Sequence, residues 1–193
     1  MTPKQRMLNA YRGIANDRPA VAPEFWYYYP AKLLGLDMIQ FHREIPFHIA
    51  LKKTFERFEC EGWGIAFCGA PNEHVTHTST ERWLDDHTLE THTTIHTPKG
   101  DLHSAGRATR EEPGWSLEGQ VKDRERDLPA WEIAALGGNP EAMDCSGLTK
   151  AWQEVGDSYL LEAWLGVPFF DFVAGGRHGG FETGVFDFMD PDF

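Results

Sequence analysis

The first 62 residues alternate between segments with apolar side chains at helical spacing and one short, densely apolar segment. Thr2 followed by Pro3 is a typical start of a helix, and β-branched and aromatic residues over 20–29 are typical of a buried strand. The predicted elements are, in order, a helix over about 3–14, a turn at 17–19, a strand over 20–29, a helical turn over 30–36 and an amphipathic helix from Pro46 up to Gly62.

From His74 the chain becomes polar, threonine-rich and alternating, with a proline-glycine turn at 98–100. This pattern predicts a long antiparallel hairpin, about 86–97 paired with 101–110. The remaining predicted elements are a strand over 63–67, helices over 123–136 and 146–155, a strand over 159–165, a glycine-rich loop over 175–180 and a helix over 181–188.

Three buried strands interleaved with helices favour an α/β fold with a parallel sheet, and such a sheet needs neighbours on both edges. Asp190-Pro191 has the form of a helix start, yet the sequence ends two residues later. We therefore expect residues 1–193 to be the N-terminal part of a longer domain, with the hairpin as an insertion at about 74–120.

The net charge of the chain indicates which classes of partner are disfavoured. The chain of 193 residues carries 18 basic and 30 acidic side chains, a formal net charge of −12, which disfavours nucleic acid as a partner. Every long apolar stretch is interrupted by a charge, so no membrane association is expected, and the first residues do not form a secretory signal. Three cysteines without close-pair spacing are expected to be buried, inert thiols, which suits the cytoplasm.

Two glutamates are candidate catalytic groups. Glu24 lies among aromatic residues at the expected mouth of the first strand, where burial would raise its pKa towards the range useful for proton transfer; the alternative is a solvated loop residue. Glu162 lies within the otherwise apolar strand over 159–165, where a charge needs a partner or a polar cavity. It would either face a site or form an ion pair with a helix cation.

Five further residues are candidate substrate contacts. Trp26 and Tyr28 belong to an aromatic run that would line a pocket for a flat ligand or pack in the core. Asp171, like Glu162, would either face a site or form an ion pair with a helix cation. Arg177 and His178 lie in the glycine-rich loop, where Arg177 is a candidate for an anion contact.

No metal site is predicted, although the chain has nine histidines. Strand alternation places a set of polar residues on one face of the hairpin, where an exposed polar ladder is favoured over zinc. These residues are Thr88, Glu90, His92, Thr94 and His96. Neither a dinucleotide-binding glycine motif, nor a phosphate-binding loop, nor a serine-nucleophile elbow is present in the sequence.

Several short segments occur together in an order and spacing found in one family. They are TPKQRML (2–8), DRPAVAP (17–23), TPKGDL (97–102), VKD (121–123), GVPF (166–169), GGFE (179–182) and DFMDP (187–191). On these segments the chain resembles the uroporphyrinogen decarboxylase superfamily, which includes methyltransferases that act with corrinoid proteins. The resemblance runs nearly end to end.

This resemblance implies a (β/α)8 barrel with its active site at the C-terminal ends of the strands and a wide pocket for a tetrapyrrole or for the corrinoid of a partner protein. In the methyltransferases a zinc-bound thiolate is used. The ligands, a His-x-Cys and a distant Cys, belong to later strands that we expect beyond Phe193, so no cofactor is expected within these residues.

The resemblance also indicates a branch of the family. The decarboxylases carry arginine where this chain reads EFWYYY (24–29), a catalytic aspartate where it reads AFCG (66–69), and a tyrosine where it has Ala174. Without these groups, removal of carboxylates from a polyanionic porphyrinogen is disfavoured. A corrinoid-linked methyl-group transferase is the leading expectation. The alternatives are uroporphyrinogen III decarboxylase and a non-catalytic ligand-binding module.

Overall fold

The computed structural model describes residues 1–164 and 166–191. The helices are α1 (Pro3–Tyr11), α2 (Tyr28–Leu34), α3 (Met38–Glu44), α4 (Phe47–Phe58), α5 (Arg124–Leu136), α6 (Ser146–Val155), α7 (Pro168–Asp171) and α8 (Gly180–Met189), with a 3-10 turn at Pro140–Ala142 and a π-helical turn at Phe172–Gly176. The strands are β1 (Trp63–Phe67), β2 (Thr76–Trp83), β3 (Thr88–Thr97), β4 (Gly100–Thr109), β5 (Trp115–Glu118) and β6 (Leu160–Trp164).

The described residues divide into two compact units, each assembled from two stretches of sequence. Unit 1 contains 1–69 and 144–164, and unit 2 contains 70–143 and 166–191. Unit 1 therefore holds α1 to α4, β1, α6 and β6, and unit 2 holds the remaining elements.

Local sequence accounts for the helix ends in unit 1. The hydroxyl of Thr2 accepts a hydrogen bond from the amide of Gln5 at 3.2 Å and caps α1. Asp37 and Gln40 form a reciprocal capping box at the start of α3. Gly35 ends α2 in a left-handed conformation (φ 69°), which glycine adopts without steric cost.

A parallel pair of strands is the centre of unit 1. β1 and β6 pair from Trp63 opposite Leu160 to Phe67 opposite Trp164. One face of this pair is covered by α4 and α6 through a core cluster of Leu51, Phe55, Val155 and Tyr159, with Leu161 packed against it. Strand alternation therefore places Ile65 and its register partner Glu162 on the other face.

The predicted strand over 20–29 is wrong. Residues 20–27 form no strand or helix, and α2 begins at Tyr28. The amide of Val21 donates at 2.9 Å to the carboxylate of Glu61, which replaces a strand hydrogen bond with a side-chain contact. The predicted helical turn over 30–36 overlaps α2 over 30–34, and the sequence pattern did not predict α3.

Unit 2 contains a four-stranded antiparallel sheet in the order β2-β3-β4-β5. The predicted hairpin is confirmed as β3 and β4, whose pairing runs from Thr88 opposite Thr109 to Thr97 opposite Gly100. Buried Ile95 and Leu102 from these strands join a core with residues of α5 and of the π-helical turn.

The expected exposed polar ladder on β3 is confirmed only at His92, because Thr88, Thr94 and His96 are half-buried and Glu90 is buried. Glu90 is buried, because Arg107 donates to its carboxylate at 2.7 Å and His92 lies 2.9 Å from the same group. These hydrogen bonds, from Arg107 first and then from His92, hold the pKa of Glu90 below its usual value. Part of the polar face of β3 is thus an ion-paired cluster of Glu90, His92 and Arg107.

The fold class is mixed α/β, with one parallel and one antiparallel sheet, and neither sheet closes into a barrel among the described residues. The predicted helices over 123–136, 146–155 and 181–188 are confirmed as α5, α6 and α8. The predicted strand over 159–165 is confirmed as β6, although its last residue, Leu165, lies outside the described residues, as do residues 192 and 193.

The cysteines differ from their expected state. Cys68, just after β1, forms a disulfide with Cys145, just before α6. Cys60 is a free, half-buried thiol whose pKa is raised, first by burial and then by the nearby Glu61 carboxylate. The expectation of three buried free thiols is therefore wrong, because Cys68 and Cys145 are paired and Cys60, which packs against the core, is only half-buried.

None of the helices formed by the described residues combines the length and apolar character that crossing a membrane requires.

Candidate functional site

An aromatic pocket lies at the carboxyl end of β1 in unit 1. It has a volume of about 360 Å³, within the usual size range of small-molecule sites though near its lower end. Its lining residues are Trp26, Tyr27, Phe41, His42, Ile45, Pro46, Phe47, Ile65 and Phe67. Ligands of α/β proteins characteristically bind at the carboxyl ends of parallel strands, so the pocket has the expected position for a site.

Ring contacts hold the walls of this pocket in place. Trp26 stacks on Phe47 with ring centroids 5.8 Å apart and an interplanar angle of 8°. It also meets Trp63 of β1 edge to face at 5.8 Å, and Tyr27 packs against Phe47 at 5.6 Å. Such pairs add to the stabilisation from burial alone and fix ring orientation. The pocket therefore offers preorganised flat surfaces.

His42 is the one histidine among the lining residues. Its ring packs edge-on against Tyr27 at 4.9 Å and against Phe41 at 5.6 Å. Desolvation lowers the pKa of His42, so the neutral imidazole predominates at pH 7. It offers one N–H donor and one nitrogen lone pair to a ligand without a positive charge.

Two of the predicted site residues lie together beside the pocket. The indole Nε1–H of Trp26 donates to the carboxylate of Glu24. Glu24 is exposed, which agrees with the alternative of a solvated loop residue, and of the two only Trp26 belongs to the pocket wall. Tyr28 is 51% exposed and begins α2 outside the lining of the pocket.

Glu162 lies on β6, on the face of the parallel pair that α4 and α6 leave uncovered. It is half-buried and accepts a hydrogen bond of 3.0 Å from the phenol of Tyr11. That hydrogen bond, together with desolvation, raises the pKa of Tyr11. The partner of Glu162 is therefore a tyrosine and not the lysine or arginine of the ion-pair alternative.

Arg177 and its neighbours lie in unit 2. The Arg177 guanidinium donates to both carboxylate oxygens of Asp187, at 2.6 and 3.3 Å, and to the carbonyls of Val121 and Lys122, at 3.0 and 2.9 Å. These contacts join the loop before α5 to α8. The side chain is thus engaged in the fold, and its predicted anion contact stays a prediction.

The other two candidates in unit 2 also have local partners. Asp171 is exposed and accepts a hydrogen bond of 3.1 Å from the amide of Val167 at the start of α7. The Nδ1 atom of His178 accepts one of 3.3 Å from the amide of Gly119, which requires the Nε2-protonated tautomer. Both side chains support turns, and their predicted ligand contacts stay predictions.

Sequence reasoning missed His42, Phe41 and Phe47 as site residues. The first two belong to α3, which the hydrophobic pattern did not reveal. Asp37 followed three residues later by Gln40 is a capping-box signature that would have located the start of this helix. Phe47 was predicted as part of the helix from Pro46, but its ring faces Trp26.

The resemblance implies zinc for the methyltransferases of the superfamily, and a zinc site requires a cluster of suitable side chains. Residues 1–164 and 166–191 contain no group of three histidine, cysteine or acidic side chains placed to hold a metal ion. No zinc ligand is therefore assigned among these residues.

Comparison of the chain with protein-family models, with curated proteins and with solved structures gives no match.

Proposed function

We propose that β1 and β6 are neighbouring strands of a (β/α)8 barrel of the uroporphyrinogen decarboxylase superfamily, and that the enzyme transfers a methyl group with a corrinoid protein. Support for the fold comes from the parallel pair, which is covered by α4 and α6 on one face only. In a barrel the helices lie outside, so the face with Ile65 and Glu162, opposite α4 and α6, would face the lumen.

The observation that carries the proposed ligand class is the aromatic pocket at the carboxyl end of β1. Flat rings such as Trp26 and Phe47 favour stacking on a planar conjugated ligand, and a tetrapyrrole presents such a surface. With a volume of about 360 Å³ the pocket would hold one edge of the macrocycle. A corrinoid or a porphyrin would enter with its edge between the aromatic walls.

The pocket and its neighbouring side chains would have different roles. The aromatic walls exclude water from the bound edge, which strengthens polar contacts within the pocket. The neutral imidazole of His42 would donate to, or accept from, a polar substituent of the ring. Glu162, held by Tyr11 at 3.0 Å, would accept or return a proton on the lumen face. Glu24 would orient Trp26 through the indole hydrogen bond.

Titration of the 193-residue chain with hydroxocobalamin, followed by calorimetry, tests the proposed ligand class. We expect saturable binding that Trp26→Leu weakens about tenfold, the loss expected for one aromatic stacking partner. Trp152→Leu is the matched control, because Trp152 is 55% exposed on α6 and lies outside the pocket. Absence of binding, or equal weakening by both substitutions, would contradict the pocket assignment.

The decarboxylase alternative has its own assay. Incubation with uroporphyrinogen III followed by product separation is expected to give no coproporphyrinogen above the rate without protein. Efficient production of coproporphyrinogen would favour the decarboxylase over the methyltransferase.

A further inference from the structure

Strand β2 forms one edge of the antiparallel sheet in unit 2. It pairs with β3 on one side, and no strand of the described part of the chain pairs with its other side. All eight residues of the strand, Thr76–Trp83, are exposed. Its outer edge therefore presents backbone donors and acceptors to solvent.

The hydrogen-bond pattern determines which residues present those groups. The amide of Leu84 donates to the carbonyl of Thr88 at 2.9 Å, and these residues continue the β2–β3 register. Because backbone groups alternate sides along a strand, even-numbered residues of β2 bond to β3 and odd-numbered residues point outwards. The amide of Arg110 also donates to the carbonyl of His87 at 3.0 Å, so the backbone groups of odd-numbered residues on the β3 side face β4. Even-numbered residues of β3 are then the ones that bond to β2, as the first contact indicates.

Over Thr76–Thr80 the outer edge lacks the features that normally prevent strand pairing, and the charged residues of the strand, Glu81 and Arg82, follow this segment. Proteins protect such edges with proline, with charged side chains or with a bulge. The segment Thr76–Thr80 has no proline and no acidic or basic residue other than His77, and its pairing with β3 is continuous. Threonine, at three of these five positions, is also a favourable strand residue. This edge is therefore competent to pair with another strand.

Side-chain complementarity across a two-fold axis favours a second copy of the same strand as the partner. In an antiparallel pair with its two-fold axis at Ser79, His77 lies opposite Glu81 of the second copy, and this contact occurs twice by symmetry. An axis at His77 would place two histidines opposite each other, and an axis at Glu81 would place two carboxylates opposite each other. Two opposed carboxylates repel each other, and axes at Thr78 or Thr80 would place Ser79 opposite His77 or Glu81. Only the axis at Ser79 places an imidazole N–H opposite a carboxylate, so this axis is preferred.

We propose that the chain forms a two-fold dimer by antiparallel pairing of β2 with β2 of a second copy, centred on Ser79, which joins the two four-stranded sheets into one of eight strands. The net charge of −12 on each copy opposes association. At physiological ionic strength this repulsion is damped beyond about 8 Å, whereas the backbone bonds and the His77–Glu81 contacts act at shorter range.

Sedimentation equilibrium of the 193-residue chain, from micromolar to submillimolar concentrations, is the first test. We expect a monomer–dimer equilibrium that Ser79→Pro shifts to monomer, since proline removes the outward N–H at the centre of the pair. Ser79→Val is the matched control, because it removes the same hydroxyl but keeps the N–H, and it is expected to dimerise. A monomeric wild-type chain, or a dimer unaffected by Ser79→Pro, would overturn the proposal.

A charge exchange tests the register even if the proline variant does not fold. His77→Glu and Glu81→Lys should each weaken dimerisation about tenfold, because each replaces two favourable cross-strand contacts. The double variant restores opposite charges across the axis and should recover dimerisation. Failure of the double variant to recover would overturn the axis at Ser79.

Amide exchange supplies a readout that another dimer interface would not reproduce. On raising the protein concentration, the amides of His77, Ser79 and Glu81 should become protected, whereas those of Thr78 and Thr80, already bonded to β3, should change little. Protection without this alternation, or protection elsewhere only, would show that β2 does not pair in the proposed way.

Discussion

At the scale of single residues, the most constrained charge in unit 1 is Glu61. Its carboxylate is fully buried and accepts hydrogen bonds from Arg6 at 3.0 Å, from Arg18 at 2.6 and 2.9 Å, and from the amide of Val21 at 2.9 Å. A buried carboxylate with four donors is a stable arrangement only while all of its partners remain. It ties α1 and the segment after it to the start of β1.

We predict that Glu61→Gln lowers the free energy of unfolding by about 3 kcal/mol, since two arginines would lose their shared counter-ion. Urea unfolding followed by circular dichroism measures this change. Glu44→Gln, an exposed position at the end of α3, is the control and should change stability by less than about 0.5 kcal/mol. Equal effects of the two substitutions would contradict the assigned importance of Glu61.

The same carboxylate predicts a pH dependence. Burial alone would raise the pKa of Glu61, but hydrogen bonds from the Val21 amide and from Arg18 and Arg6 hold it below its usual value. A carboxylate whose pKa is lower when folded stabilises the protein above its unfolded pKa of about 4.3, and this contribution is lost as the pH falls through the folded pKa. The stability difference between wild type and Glu61→Gln should therefore shrink as the pH is lowered from 6 towards about 3. Urea titrations at a series of pH values test this, and a constant difference would contradict it.

At the scale of elements, the packing of α4 against β1 depends on glycine. A Cβ atom added to Gly62 would lie 2.2 Å from ring carbons of Phe55, which is 1% exposed in the core. Gly64 makes a similar close approach, with Leu51 at 2.8 Å. The helix can lie this close to the strand because two positions of the segment have no side chain.

We predict that Gly62→Ala destabilises the protein by about 1–3 kcal/mol, because Phe55 would have to leave its position in a packed core. Gly69→Ala is the matched control just beyond the other end of β1, where an added Cβ would meet no atom within 4 Å. It should cost less than about 0.5 kcal/mol. Thermal unfolding of the two variants side by side measures the difference, and similar melting temperatures would contradict this packing.

At the scale of the whole molecule, each unit is closed by contacts between segments distant in the sequence. Unit 1 is tied by the disulfide between Cys68 and Cys145, 77 residues apart. Unit 2 is tied by Arg177, which bonds to Asp187 of α8 and to the carbonyls of Val121 and Lys122. Both units thus depend on tertiary contacts to join their two stretches of chain.

We predict that Asp187→Asn loosens this closure of unit 2, because the charge partner of Arg177 is lost. Amide exchange should accelerate about tenfold at Val121 and His178, whose N–H groups donate across the closure at 2.8 and 2.9 Å. Glu182→Gln, an exposed change on the same helix, is the control and should leave these rates unchanged. Unchanged exchange in Asp187→Asn would show that the ion pair does not hold the closure.

The sequence by itself determined the elements whose signals are local. Helix α6 occupies the predicted residues 146–155, and the hairpin of β3 and β4 is defined by a turn in which Gly100 has a φ of 126°. Spacing of apolar residues, capping residues and turn glycines act within a few residues of each other. Such signals are present in the chain before it folds.

The conformation of residues 20–29, the disulfide and the pocket depended on the tertiary structure. The contacts that form them join residues far apart in the chain. Strand-like residues over 20–29 form no strand, since the Val21 amide bonds to Glu61, 40 residues away. The Cys68–Cys145 pairing and the aromatic pocket likewise bring separate segments together. The aromatic run around Trp26 was a candidate lining for a flat ligand. The position of Trp26 beside His42 and Phe47 depended on how α3 and α4 pack against β1.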